Sequence, residues 1–159
     1  MNKVNAILNS SKYREYLKRN EEYEGDRVFC KHDIGHFLDV ARIAYIMFLE
    51  KHIEIDKQIV YAAALLHDIG RWMQYKDGTP HEVASYRLAE EILVECGFIE
   101  EDRKVVLGAI LKHRGGLEEK ETFDEIFYLS DKLSRTCFSC AAAKECKWSE
   151  EKKNYKITY

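Results

Sequence analysis

The sequence predicts an all-α, single-domain bundle of about six or seven helices, and three observations carry that reading. The chain of 159 residues holds one proline, Pro80, and eight glycines, so there are few points at which a helix must stop. Apolar residues recur at helical spacing along most of the chain, whereas the period-two alternation of a half-buried strand is weak. The balance of 46% apolar and 33% charged residues is that of one globular domain with one core. A chain of this size buries roughly two thirds of the surface it exposes when unfolded, so it needs neither disulfides nor a partner to fold.

The elements follow in order. Ile7, Leu8 and Leu17 mark a first helix over 6–19, which the polar stretch Asn20 to Asp26, with Gly25 in it, is expected to end. From Lys31 to Lys51, the residues Ile34, Leu38, Ala41, Ile43, Ala44, Ile46 and Leu49 cover a broad apolar face, as a central bundle helix would. Asp56 is placed to cap a third helix whose body, Ile59 to Ile69, is apolar almost all round and therefore buried, with Gly70 near its end. Thr79-Pro80-His81-Glu82 reads as an N-cap, a proline at the first helical position and a capping-box glutamate. That helix runs from Pro80 to Cys96 and stops at Gly97. Another runs from Glu101 to Lys112 and ends at Gly115-Gly116, and a last one starts near Thr122 and continues past Asp131. The expected layout is a single domain over 1–159, with an N-terminal helix over 6–19, a core over about 31–135 and a cysteine-containing cap over 137–159.

Charge and cysteine usage narrow the function classes. A formal charge of -3, from 25 Lys and Arg against 28 Asp and Glu, supplies no basic excess to coat nucleic acid or an anionic membrane, so neither is expected as a partner. The longest strong apolar run, Val60 to Leu66, falls far short of the roughly 18 residues of a spanning helix, and there is no signal-peptide core; a cytoplasmic protein is expected. The five cysteines, Cys30, Cys96, Cys137, Cys140 and Cys146, are odd in number and expected to be reduced. Cys137-x-x-Cys140 with Cys146 offers three of the four thiolates of a structural zinc site, Cys30 being the distant fourth. The competing reading is a small cap of thiols, Phe138 and Trp148 packed on the bundle.

The histidines carry the chemistry. His67 and Asp68 follow the apolar run Ala62-Ala63-Ala64-Leu65-Leu66, which delivers an imidazole and a carboxylate together to the end of a buried helix. Burying that charge is costly without a counter-charge. A divalent ion supplies one, because carboxylate oxygen and imidazole nitrogen both suit Fe, Mn, Zn or Ni, and neighbouring helices can each add a ligand.

These residues resemble the HD-domain superfamily of metal-dependent phosphohydrolases, whose signature is a histidine, a His-Asp pair and a distant aspartate. The first histidine matches His36 in His36-Phe-Leu-Asp-Val40, the pair is His67-Asp68 in Leu65-Leu66-His67-Asp68-Ile69-Gly70-Arg71, and the aspartate is Asp131 in Phe127-Tyr128-Leu129-Ser130-Asp131-Lys132. His81 and His113 fall between the pair and the last aspartate, as in the small two-metal, six-ligand HD proteins. The resemblance therefore implies one or two divalent ions, Fe or Mn ahead of Zn, Ni or Mg, held by His36, His67, Asp68, His81, His113 and Asp131, with Asp68 as the bridge. It implies hydrolysis of a small phosphorylated metabolite, a nucleotide or dinucleotide, by metal-activated water. Asp68 and Arg71 would be catalytic, and Arg71, Lys112, Arg114 and Lys132 would hold phosphates. The chain departs from the dinucleoside polyphosphate hydrolases after the last aspartate, where it reads Asp131-Lys132-Leu133-Ser134-Arg135 instead of an aromatic and an acidic residue. It also lacks the Glu-Asp pair of alarmone hydrolases and the Gly-Tyr-Pro motif of cyclic-dinucleotide hydrolases.

Blander readings stand beside each of these. His81 and His113 each sit at a helix end, where a solvated or capping histidine is common, and Arg71 could serve a surface ion pair. His32, one helical turn before His36, suits a supporting or solvent-facing role, and His52 an exposed one. Two other functions fit the same ligand set: a di-iron oxygenase, and a nucleotide-binding protein without turnover.

Overall fold

The computed structural model describes residues 1–115 and 122–159. Among these it contains eight α-helices, two short 3-10 turns and no strand, so the all-α bundle expected from the sequence is what forms. The differences lie at element boundaries and in one additional short helix. The first expected helix is two, α1 (Asn2–Asn9) and α2 (Ser11–Tyr23). Between them Ser10 adopts extended backbone, and its hydroxyl accepts the Tyr13 N–H at 3.4 Å as the N-cap of α2. The polar stretch expected to end this helix is instead its continuation to Tyr23, because Asn20 and Glu24 turn inward and are buried.

Helix α3 (Ile34–Glu50) starts at Asp33, whose carboxylate caps the His36 N–H at 3.0 Å, so His32 precedes the helix rather than lying one turn inside it. Helix α4 (Lys57–Leu66) is capped by Asp56, as expected, through the Gln58 N–H at 2.8 Å. It ends at Leu66, and a turn over 67–70 leads into an additional short helix, α5 (Arg71–Asp77), closed by Gly78 with φ of 82°. In α6 (His81–Glu95), Pro80 itself occupies the cap position without a side-chain cap. The expected Thr79 and Glu82 box does not form, since Thr79 Oγ donates to Asp77 at 2.6 Å and Glu82 faces Arg114 at 3.4 Å. Gly97, with φ of 74°, terminates α6 in the left-handed region that favours glycine. Two helices follow, α7 (Glu100–Lys112) and α8 (Thr122–Leu133). Of the Gly115-Gly116 stop, Gly116 lies outside the described residues.

Helix α4 is the central rod, packed against α1, α3, α6 and α7, and Ala62, Ala63, Ala64, Leu65 and Leu66 are fully enclosed. Each such leucine, isoleucine or phenylalanine contributes about 1.5–3 kcal/mol by leaving water. A second cluster, with Ile43, Phe48, Val60 and Ile126 in it, fills the space between α3, α4 and α8. Beyond α8 the chain forms 3-10 turns at Cys137–Ser139 and Glu150–Lys152. This segment is tied back by the Asn154 amide donating to the carbonyls of Lys132 and Arg135 at 2.7 and 3.1 Å. All five cysteines are free thiols. No helix among the described residues is long and apolar enough to cross a membrane.

Candidate metal centre

The rod ends where its chemistry begins. His67 is the C-cap of α4, and Asp68 follows in the turn. Around them the fold brings His36 from the first turns of α3, His81 from the start of α6, His113 from the C-cap of α7 and Asp131 from α8. All six residues expected from the sequence therefore meet at one place, and all but His36 are at least 95% buried.

The two oxygens of Asp68 face different partners. Oδ2 is 3.3 Å from His67 Nε2, whereas Oδ1 is 3.3 Å from His81 Nε2 and 3.6 Å from His113 Nε2. Asp131 Oδ1 stands 3.4 Å from His36 Nε2 and 3.8 Å from His67 Nε2. Two groups of three ligand atoms thus lie within 4.8 Å of one another: His36, His67 and Asp68, and Asp68, His81 and His113. Asp68 belongs to both, and no thiol belongs to either.

Each histidine is fixed through its other nitrogen. His67 Nδ1 donates to the Ala64 carbonyl at 2.8 Å and His113 Nδ1 to the Ile110 carbonyl at 2.6 Å, both being carbonyls that a helix C-terminus leaves without an intrahelical partner. His81 Nδ1 is 2.7 Å from the Gln74 side-chain oxygen. The Ser134 hydroxyl donates to the Asp131 carbonyl at 2.8 Å, which leaves it to accept from His36 Nδ1 at 3.2 Å. With Nδ1 carrying the proton, Nε2 of His36, His67 and His113 presents a lone pair to a carboxylate, while His81 Nδ1 meets both the Gln74 oxygen and an Arg71 guanidinium nitrogen.

Such a nest of electron pairs needs a cation. His36 Nε2, His67 Nε2 and Asp68 Oδ1 are buried without a hydrogen-bond partner, and His81 Nε2 faces His113 Nε2 at 3.1 Å. Imidazole nitrogens and carboxylate oxygens are the donors that borderline divalent ions take, so the residues fit one ion on each side of Asp68. In the absence of metal, protons take over part of this task. Burial pushes His67 down, but the Asp68 and Asp131 carboxylates override it and lift it to about 10. Burial disfavours the charged forms of Asp68 and Asp131 too, yet the surrounding imidazoles hold both well below the usual carboxylate range. Burial, helped by the neighbouring Arg71 and His113, lowers His81 to about 3 and keeps it neutral.

The four cations expected to meet phosphate occupy distinct positions. Arg71 opens α5, with one guanidinium nitrogen 2.8 Å from His81 Nδ1. Lys132 Nζ is 2.5 Å from Asp131 Oδ2 and stands over the Tyr128 ring. Lys112 is ion-paired with the buried Asp124 at 2.5 Å, and Arg114 with Glu82 at 3.4 Å.

Several residues that build the site escaped the sequence reading. The fully buried Asn20 clamps the turn, its amide donating to the Asp68 carbonyl at 2.9 Å and its oxygen accepting the Trp72 N–H at 2.8 Å. Ser85 Oγ accepts the Gly70 N–H at 3.0 Å, and Gln74 and Ser134 orient two of the histidines. For Asn20 and Glu24 a signal did exist: they continue the Tyr13, Leu17 stripe at helical spacing, which places polar side chains on a buried face.

Comparison with known proteins bears on the family and the fold. The HD domain family model matches residues 33–136. A Clostridium beijerinckii protein, described only as uncharacterized, is 48% identical over 159 residues, the full length of both chains. Ribonuclease Y of Clostridium kluyveri is 32% identical over 101 residues, which is 64% of this chain and 18% of that protein. The crystal structure of a protein described as a "predicted HD superfamily hydrolase", from an uncultured Thermotogales bacterium, superposes with a TM-score of 0.64 at 26% identity, covering 88% of this chain and 80% of that one.

Proposed function

The chain belongs to the HD domain family, and from that premise we propose that it is a metal-dependent phosphohydrolase acting on a small phosphorylated metabolite, a nucleotide or dinucleotide. The observation that carries this reading is the buried Asp68 carboxylate, with Oδ2 turned to His67 and Oδ1 turned to His81 and His113. A carboxylate with ligands on both faces is suited to bridge two ions. Divalent ions held by these residues would supply a coordinated water of lowered pKa and polarisation of a phosphoryl oxygen.

The chain's own residues do the rest. His36, His67 and Asp131 hold one side of Asp68, and His81 and His113 the other. Burial of all but His36 keeps bulk water from competing for these donors and strengthens each electrostatic contact. Arg71, at the edge of the His81 side, is positioned to neutralise charge growing on a phosphoryl group. Lys132, on the Asp131 side, could exchange its carboxylate partner for a phosphate oxygen. Lys112 and Arg114 reach phosphate in this reading only by releasing Asp124 and Glu82. The hydrolase likeness of the Thermotogales protein and the name of the Clostridium kluyveri relative support hydrolytic chemistry at a phosphate centre.

Purified protein loaded with Mn or Fe and offered nucleotides and dinucleotides, with inorganic phosphate and nucleotide products quantified, tests the reading. The expected outcome is metal-dependent release that Asp68→Ala abolishes while helical content stays near wild type. Wild-type turnover in Asp68→Ala contradicts the assignment. Oxygen uptake by the iron-loaded protein without phosphate release would move the function to the di-iron oxygenase class, and binding without product would make it a sensor.

A further inference from the structure

The histidines of the cage share a two-ended geometry, with Nδ1 anchored by an acceptor and Nε2 turned to Asp68 or Asp131. His32 has the same two ends. Its Nδ1 is 2.5 Å from Glu24 Oε1, and its Nε2 is 3.6 Å from Asp68 Oδ2. That second distance is too long for a hydrogen bond. It equals the 3.6 Å between His113 Nε2 and Asp68 Oδ1, and it is close to the roughly 3.0–3.5 Å that separates two donors sharing an ion about 2.1 Å from each.

Glu24 supplies the second, independent observation. It is 3% exposed, although nothing in the six-ligand cage requires it. Its carboxylate accepts the His32 backbone N–H at 2.7 Å, the His32 ring N–H at 2.5 Å and the Tyr75 hydroxyl at 2.7 Å. A carboxylate withdrawn from water to grip the far side of one imidazole fixes the ring's tautomer and aims its remaining lone pair, as metal-ligating histidines require. The lone pair is aimed at the Oδ2 face of Asp68. His32 lies outside the two tight groups of mutually close donors, as Asp131 does, and like Asp131 it meets the cage through one side of it. Its ring packs edge-on against His36 at 5.7 Å between centroids, and its side chain is 13% exposed.

We propose that His32, held by Glu24, is a further metal ligand on the Oδ2 side of Asp68; the proposal rests on the reading of the six-residue cage as a metal centre. The experiment is cobalt(II) titration and proton NMR of the cobalt-loaded full-length protein, in which the ring N–H of each ligating histidine gives its own far-shifted exchangeable resonance. Wild type is compared with His32→Ala, His32→Gln and Glu24→Gln, with circular dichroism as the check on folding. The expected result is one shifted resonance fewer in both His32 variants, with cobalt affinity weakened about tenfold or more. Glu24→Gln should keep the number of resonances and weaken affinity less. Retention of every shifted resonance in both His32 variants, whatever their affinity, overturns the proposal and leaves the six-residue centre standing. A wild-type protein that takes up no cobalt overturns the centre and the proposal together.

Discussion

Asn20 shows how one side chain can set the geometry of a site it never enters. Its amide spans the Asp68 carbonyl and the Trp72 N–H, so the backbone on either side of the turn after α4 is held to α2. Replacing it with alanine orphans two buried backbone groups, each costing about 1–3 kcal/mol. In a domain of this size about 1 kcal/mol corresponds to roughly 2–4 °C in Tm. Asn20→Ala is therefore expected to lower the metal-free Tm by several degrees and, by freeing Asp68, to weaken metal binding; an unchanged Tm by calorimetry would show that the clamp is dispensable. At this scale the sequence was most legible where residue type dictates role. His36, His67, Asp68, His81, His113 and Asp131 are donors with few other reasons to be buried together; resemblance to the HD signature picks out His36, His67, Asp68 and Asp131, and resemblance to the two-metal HD proteins adds His81 and His113. The anchors Gln74, Ser85 and Ser134 were illegible because a polar residue that ends on a ring nitrogen or a backbone N–H has no spacing of its own.

Among the elements, the turn over 67–70 and the start of α6 are closely fitted. A Cβ placed on Gly70 would stand 2.5 Å from the Ser85 backbone nitrogen and 2.7 Å from the Ala84 carbonyl carbon. Both are backbone atoms, so relief requires α6 to move, and α6 carries His81. Gly70→Ala is thus expected to cost about 1–3 kcal/mol through overpacking and to weaken binding on the His81 side of Asp68 more than on the His36 side. Isothermal titration with manganese checks this, and equal weakening on both sides would contradict it. The helices themselves were largely readable, because Asp56, Gly97 and the apolar rod from Ile59 to Leu66 each carry a local signal. What was not readable was decided by competition between caps. Ser10 breaks the first helix because its hydroxyl finds the Tyr13 N–H, and the Thr79 hydroxyl is engaged by Asp77 instead of by a helix N–H.

For the whole molecule, the bundle is a scaffold in which α3, α4, α6, α7 and α8 each deliver at least one donor to the point where the central helix ends. The donors are far apart in sequence, from His36 to Asp131, so only the assembled fold makes the site, and any ion bound there stabilises that fold by mass action. The all-α class could be inferred from composition and periodicity alone. The division of labour between the two faces of Asp68 could not, since it depends on which carboxylate oxygen each ring meets. The donors on either face of this carboxylate are expected to hold one ion each. Elemental analysis of metal per chain, on untagged protein prepared without chelator, tests it most directly when wild type is set beside His81→Ala and His113→Ala. Two ions are expected in wild type and one in either variant, with the His36, His67 and Asp131 side still filled. A single ion in wild type that neither substitution disturbs, or no ion at all, would contradict it.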